Sequence, residues 1–126
     1  MNAQLQAAKI RLEEIIVAGM AGYKLSDIAV ERTKIMVDLA KPYIKEELIE
    51  PEVIMLIADK FSDPQAFLST SRVVDGVIYP LDSSSELMDE VIEGFSTAMN
   101  TMPEEGAATV AAITVWTSEA MLREAA

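Results

Sequence analysis

The sequence predicts a mainly α fold, one compact helical domain over residues 1–126 built from five to seven helices. Three observations carry that expectation. At 51% apolar the chain can bury a continuous core without disulfides or metals. Gly and Pro number only five each, which leaves few interruptions. Apolar residues also recur at three- and four-residue intervals over most of the length, the mark of helices with one buried face.

Residues 3–20 set Leu5, Ala8, Leu12, Ile15, Ile16 and Gly19 at helical spacing among polar neighbours. Gly22 suits the C′ position after that helix. Ser26 or Asp27 can cap the next one, with Leu25 placed to staple onto Val30, and the helix runs through Ile28, Ile35, Val37 and Leu39. Pro42 interrupts it near residues 40–41, because proline lacks a donor and disfavours a helical residue before it. Pro51 repeats the event. Each proline also suits a first helical turn, so residues 42–49 and 51–61 are expected as successive helices. The run 53–58, apolar on all sides, is expected to be buried, and Asp63 with Pro64 opens a short helix to about Thr70.

Residues 72–79 have room for one small β-hairpin. Asp75-Gly76 favours a two-residue turn, and β-branched residues flank it, with Val74 opposite Val77 and Arg72 opposite Tyr79. Both faces of such a hairpin are apolar, so it must lie on the helices or pair with a second copy. The same residues read equally as a loop that docks its valines into the core.

Ser83 and Glu86 fit a capping box for a helix to about Met99, with Met88, Val91, Ile92, Phe95 and Met99 on one side and Glu86, Asp89, Glu90 and Glu93 on the other. Thr101 and Glu104 offer a second capping box, and the last helix runs to about Glu124. From Gly106 to Ser118 it carries no charge. A helix apolar nearly all round is central in its domain or shared with another subunit.

The chain has no Cys and no His, which removes thiol and imidazole chemistry: Cys or His zinc sites, Cys nucleophiles, His bases and His-ligated haem. No charge-free run approaches the roughly 18–20 apolar residues that span a bilayer, and the N-terminus has no uninterrupted apolar stretch of a secretory signal. A cytoplasmic protein without membrane association is expected. The net charge is −11 and is unevenly spread: residues 1–50 hold seven Lys/Arg against eight Asp/Glu, and residues 51–126 hold three against thirteen. The stretch from Val73 to Leu122 has no basic residue, so direct nucleic-acid binding there is not expected, and a partner attracted by charge would be basic.

The acidic stripe Glu86, Asp89, Glu90 and Glu93 is the candidate partner-binding face, set against its reading as an ordinary solvated helix face. Val110, Ile113 and Trp116 on the last helix, with Val77 and Tyr79 in the hairpin stretch, are the candidate contacts for a homo-oligomer. The eight Met residues could form an adaptable groove, though at core spacing Met more often fills gaps.

Residues 46–50 (EELIE) followed by 86–89 (ELMD) resemble the paired carboxylate motifs of the all-α nucleotide pyrophosphohydrolases of the MazG and dUTPase-like class. The resemblance implies Mg²⁺ held between antiparallel helices by such residues as Glu47 and Asp89. The sequence departs from that pattern in the 35 residues between Glu50 and Glu86 and in Pro51, which ends the first segment.

The expectation is therefore a non-enzymatic protein-interaction module of the adaptor, assembly-chaperone or inhibitor type. It would dock a basic protein partner through an acidic helical face, self-associate, and need no cofactor or metal. Two other readings stand beside it: an acidic inhibitor that occupies a nucleic-acid-binding site, and the Mg²⁺-dependent nucleotide hydrolase.

Overall fold

The computed structural model describes residues 2–19, 25, 27–62 and 85–125. Among them five α-helices and two short 3-10 turns appear, and no strand: α1 (Ala3–Gly19), α2 (Asp27–Ala40), α3 (Pro51–Lys60), α4 (Ser85–Thr101) and α5 (Glu104–Ala125). The all-α expectation holds. The candidate hairpin at 72–79, the short helix after Asp63, the C′ glycine Gly22 and the cap residue Ser83 lie outside the described residues.

α1 begins where Asn2 caps it. The Asn2 Oδ1 accepts a hydrogen bond from the Leu5 amide at 2.6 Å, satisfying one of the amides that a helix leaves orphaned at its start. Its buried residues are Leu5, Ala8, Leu12, Ile15, Ile16 and Gly19, the set that the sequence spacing picks out. α2 buries Ala29, Thr33, Met36, Val37 and Ala40 and turns Ile28, Ile35 and Leu39 toward solvent.

α2 stops at Ala40, as Pro42 requires, but residues 42–49 are not a helix. They form two 3-10 turns, Lys41–Tyr43 and Glu46–Leu48, with extended backbone at Ile44, Lys45 and Ile49. Pro51 holds Glu50 extended, so the segment between the prolines is too short to nucleate a stable helix. It acts instead as a strap across α5, inserting Ile49 into the core with Ile44 and Leu48 packed at its edge.

α5 is the central element. It is flanked by α1 on one side and α2 on the other; α3 packs outside α1 and α4 outside α2. Every residue from Ala111 to Ser118 is buried. Ala107, Ala108, Ala111 and Ala112 make this possible, because small side chains let neighbouring helix axes approach closely. Thr114 and Thr117 turn their hydroxyls back onto the Val110 and Ile113 carbonyls, at 2.8 and 2.7 Å, and so enter the core with their donors satisfied. Around this axis Leu5, Leu12, Ile16, Met36, Ile54 and Met121 are essentially removed from solvent. Each such side chain contributes about 1.5–3 kcal/mol of apolar burial.

Two further expectations are corrected. Thr101 is the last residue of α4 and donates its hydroxyl to the Thr97 and Ala98 carbonyls, so it does not cap α5. The Ala107 amide instead donates to the Pro103 carbonyl, which starts α5 directly after the proline. The run 53–58 is not buried as a whole. Ile54 and Ala58 face α1, whereas Val53 is 38% and Leu56 70% exposed, because among the described elements α1 is the main helical neighbour of α3. No described helix is long and apolar enough to cross a membrane.

Candidate functional site

The acidic face is built by the amphipathic pattern of α4. Phe95 and Met99 are buried, Val91 and Ile92 pack at the core's edge, and these anchors turn Asp89, Glu90 and Glu93 outward, all three exposed. Glu86 lies on the same helix, but its side chain is not among those described.

The face is not uniformly available. Asp89 Oδ1 accepts a hydrogen bond from Arg32 Nε at 2.8 Å, which ties α4 to α2. The pair is one of several that join a charge in the first half of the chain to an opposite charge in the second. Arg123 donates to Glu13 at 2.7 Å, Arg11 lies 4.0 Å from Asp59, and Lys45 donates to Glu104. The Glu104 carboxylate, first as hydrogen-bond acceptor and then by its charge, pushes the Lys45 amine above its usual 10.5. Tyr43 adds a neutral link by donating to Asn100 Oδ1 at 2.6 Å. The charge asymmetry of the sequence is thus partly consumed in tertiary pairing, and among the described carboxylates of α4 Glu90 and Glu93 are exposed without such a pair.

The structure does not bring the two carboxylate segments of the pyrophosphohydrolase resemblance together. Residues 46–48 are a 3-10 turn, and Ile49 and Glu50 are extended, so EELIE does not line up its acids on an α-helical face. Lys45, beside that turn, bonds Glu104 just past the C-terminal end of α4. Asp89 sits near the other end, about 18 Å away along twelve residues of helix. Among the described residues no group of three acidic side chains is placed to hold a metal ion.

The candidate oligomer contacts divide. Ile113 and Trp116 are 6% and 4% exposed within the single chain, so of the two roles open to the last helix they serve the central one. Lys9 lies over the Trp116 ring at 6.0 Å from its centroid, closing that part of the core from outside. Val110 is only half-buried. Together with the edge of Ile113 it lines a shallow groove of about 420 Å³ whose other wall is Val53 and Ile57 of α3. Val77 and Tyr79 lie outside the described residues.

A second groove, about 460 Å³, runs along the other side of α3 between Ala7 of α1 and Pro51, Met55 and Leu56. The apolar ridge of α3 therefore stands between two depressions with largely apolar walls. Sequence reasoning missed this surface, because an unbroken apolar run carries no sign of which side will lack a neighbour. No known protein family, curated protein or solved structure matches the chain.

Proposed function

We propose that the chain is a non-enzymatic protein-interaction module that docks a basic partner through the outward face of α4 and also associates with itself. The observation that supports the docking is the exposure of Asp89, Glu90 and Glu93 on the side of α4 opposite its buried Phe95 and Met99. Carboxylates held on a rigid helix speed encounter with a Lys- or Arg-rich surface and fix its orientation, more than they add affinity. Glu90 and Glu93 make the direct contacts in this reading, while Arg32 holds Asp89 and steadies the helix that carries them.

The test uses the purified chain as bait against an extract of its native source, compared with the Glu90→Lys/Glu93→Lys double variant at low and high salt. A basic protein retained by the wild type should be lost at high salt, and the double variant should bind it about tenfold or more weakly, since exposed charge pairs each carry up to about 1 kcal/mol. Retention that ignores both salt and charge reversal would refute the electrostatic docking.

A further inference from the structure

We propose that the outer face of α3 is a self-complementary interface through which two copies of this chain pair about a two-fold axis, with their α3 helices antiparallel and crossing at Leu56. The proposal rests on the self-association part of the function above and is independent of the acidic face of α4.

The exposed side chains of α3 are Glu52, Val53, Leu56, Asp59 and Lys60. Leu56 is 70% exposed, the most exposed of the chain's described large apolar side chains, and Val53 adjoins it one turn away. Such a ridge in water has a reason to be covered. The charges around it say by what. Glu52 and Lys60 stand four residues on either side of Leu56, roughly 6 Å each way along the axis and on the same face.

An antiparallel crossing centred on Leu56 sets Leu56 against Leu56 of the second copy. It also sets Glu52 beside Lys60 of the second copy, and Lys60 beside its Glu52. A parallel crossing would place Glu52 against Glu52 and Lys60 against Lys60. The Glu52 and Lys60 charges are thus complementary in one orientation and repulsive in the other, as a two-fold isologous contact requires, while Asp59, the third charge on this face, lies 4.0 Å from Arg11 of its own chain. A partner of a single charge sign would satisfy only one end of the ridge.

The ridge alone is a small contact, because a stable dimer usually removes about 800 Å² from each partner. The two flanking grooves widen it. Leu56 of each copy meets the depression walled by Ala7, Met55 and Leu56 of the other, and Val53 with Ile57 brings the edge of Val110 into the contact. Val110 would then take part in self-association from the rim of the groove, while Trp116 remains in the core.

Sedimentation equilibrium of the full chain over a range of concentrations tests this. The wild type should show a reversible monomer–dimer equilibrium. Leu56→Asp should weaken it by about a hundredfold or more, as loss of a central anchor does, with helix content unchanged by circular dichroism. Glu52→Lys and Lys60→Glu should each weaken it about tenfold, and the double variant Glu52→Lys/Lys60→Glu should restore it. Because the chain has no cysteine, Leu56→Cys supplies a second measure: mild oxidation should yield a covalent dimer.

A wild type that stays monomeric at roughly millimolar chain, near the weak limit of specific contacts, would overturn the proposal. In that case another part of the chain, or a different protein, covers α3. A dimer indifferent to Leu56→Asp, or one that the double charge swap fails to restore, would overturn it equally. Glu90→Lys/Glu93→Lys should leave the dimer mass unchanged, so failure here and failure of the docking at α4 are read in separate experiments.

Discussion

At the scale of single residues, two of the three buried hydroxyls at the centre of α5 are in opposite situations. Thr117 is fully buried and gives its proton to the Ile113 carbonyl at 2.7 Å, with the Thr114 carbonyl 3.2 Å away. Its neighbour Ser118 is buried as deeply, and its Oγ has no hydrogen-bond partner among the described residues. A buried hydroxyl that has left water without a replacement partner costs about 1–3 kcal/mol, and alanine is also the better helix former by about 0.5 kcal/mol. Ser118→Ala should therefore stabilise the fold by about 1 kcal/mol, whereas Thr117→Ala should destabilise it by about the same amount because it removes a satisfied group and leaves a small void. Urea unfolding followed by the emission of Trp116, the chain's one tryptophan and 4% exposed, reads both. Equal destabilisation by the two substitutions would show that Ser118 is satisfied after all.

At the scale of elements, the small residues of α5 explain how one helix serves as neighbour to both α1 and α2. Ala108, Ala111 and Ala112 are fully buried, and a larger side chain at such a seam must push a helix aside. Ala111→Leu should cost about 1–3 kcal/mol in chemical denaturation, while Ala3→Leu, at the exposed start of α1, should stay within about 0.5 kcal/mol of the wild type. An Ala111→Leu protein as stable as the wild type would mean that the seam has slack. The elements also divide into those the sequence discloses and those it does not. α1 was legible to the residue, because its apolar positions follow one stripe. α5 was legible as the centre, because thirteen consecutive residues, Gly106 to Ser118, carry no charge. α4 was legible as amphipathic, with its acids outward.

Harder to read were features that depend on what lies next to an element. The strap at residues 41–49 has the composition of a helix but is pinned between two prolines. α3 has an apolar run that would suit a central helix, yet Leu56 faces solvent because, among the described elements, α1 alone packs firmly on it. The candidate site was half legible for the same reason: the acidic stripe is a local pattern, but Arg32, which occupies Asp89, lies 57 residues away in sequence.

At the scale of the whole molecule, two electrostatic effects oppose each other, and magnitudes decide between them. The ion pairs that join the halves of the chain, Arg11–Asp59, Arg32–Asp89, Lys45–Glu104 and Arg123–Glu13, are all at least partly exposed, so each contributes little and weakens further as salt is added. Against them stands a net charge of −11 confined in the folded chain. At roughly 10 mM salt the screening length is about 30 Å, comparable to the molecule, so all the excess carboxylates repel one another; at 0.15 M it falls to about 8 Å and only neighbours do. Unfolding spreads the same charge over a larger volume, so the repulsion is felt mainly by the native state, and screening it favours folding. A few exposed pairs cannot offset a repulsion that grows with the square of the excess charge. Thermal unfolding should therefore move to higher temperature as NaCl rises from about 10 mM to 0.15 M. Arg32→Gln, which deletes one internal pair and raises the net negative charge, should steepen that response. A melting temperature that falls with salt would show instead that the cross-chain pairs dominate, and would recast the charge asymmetry of the sequence as a folding device before a binding one.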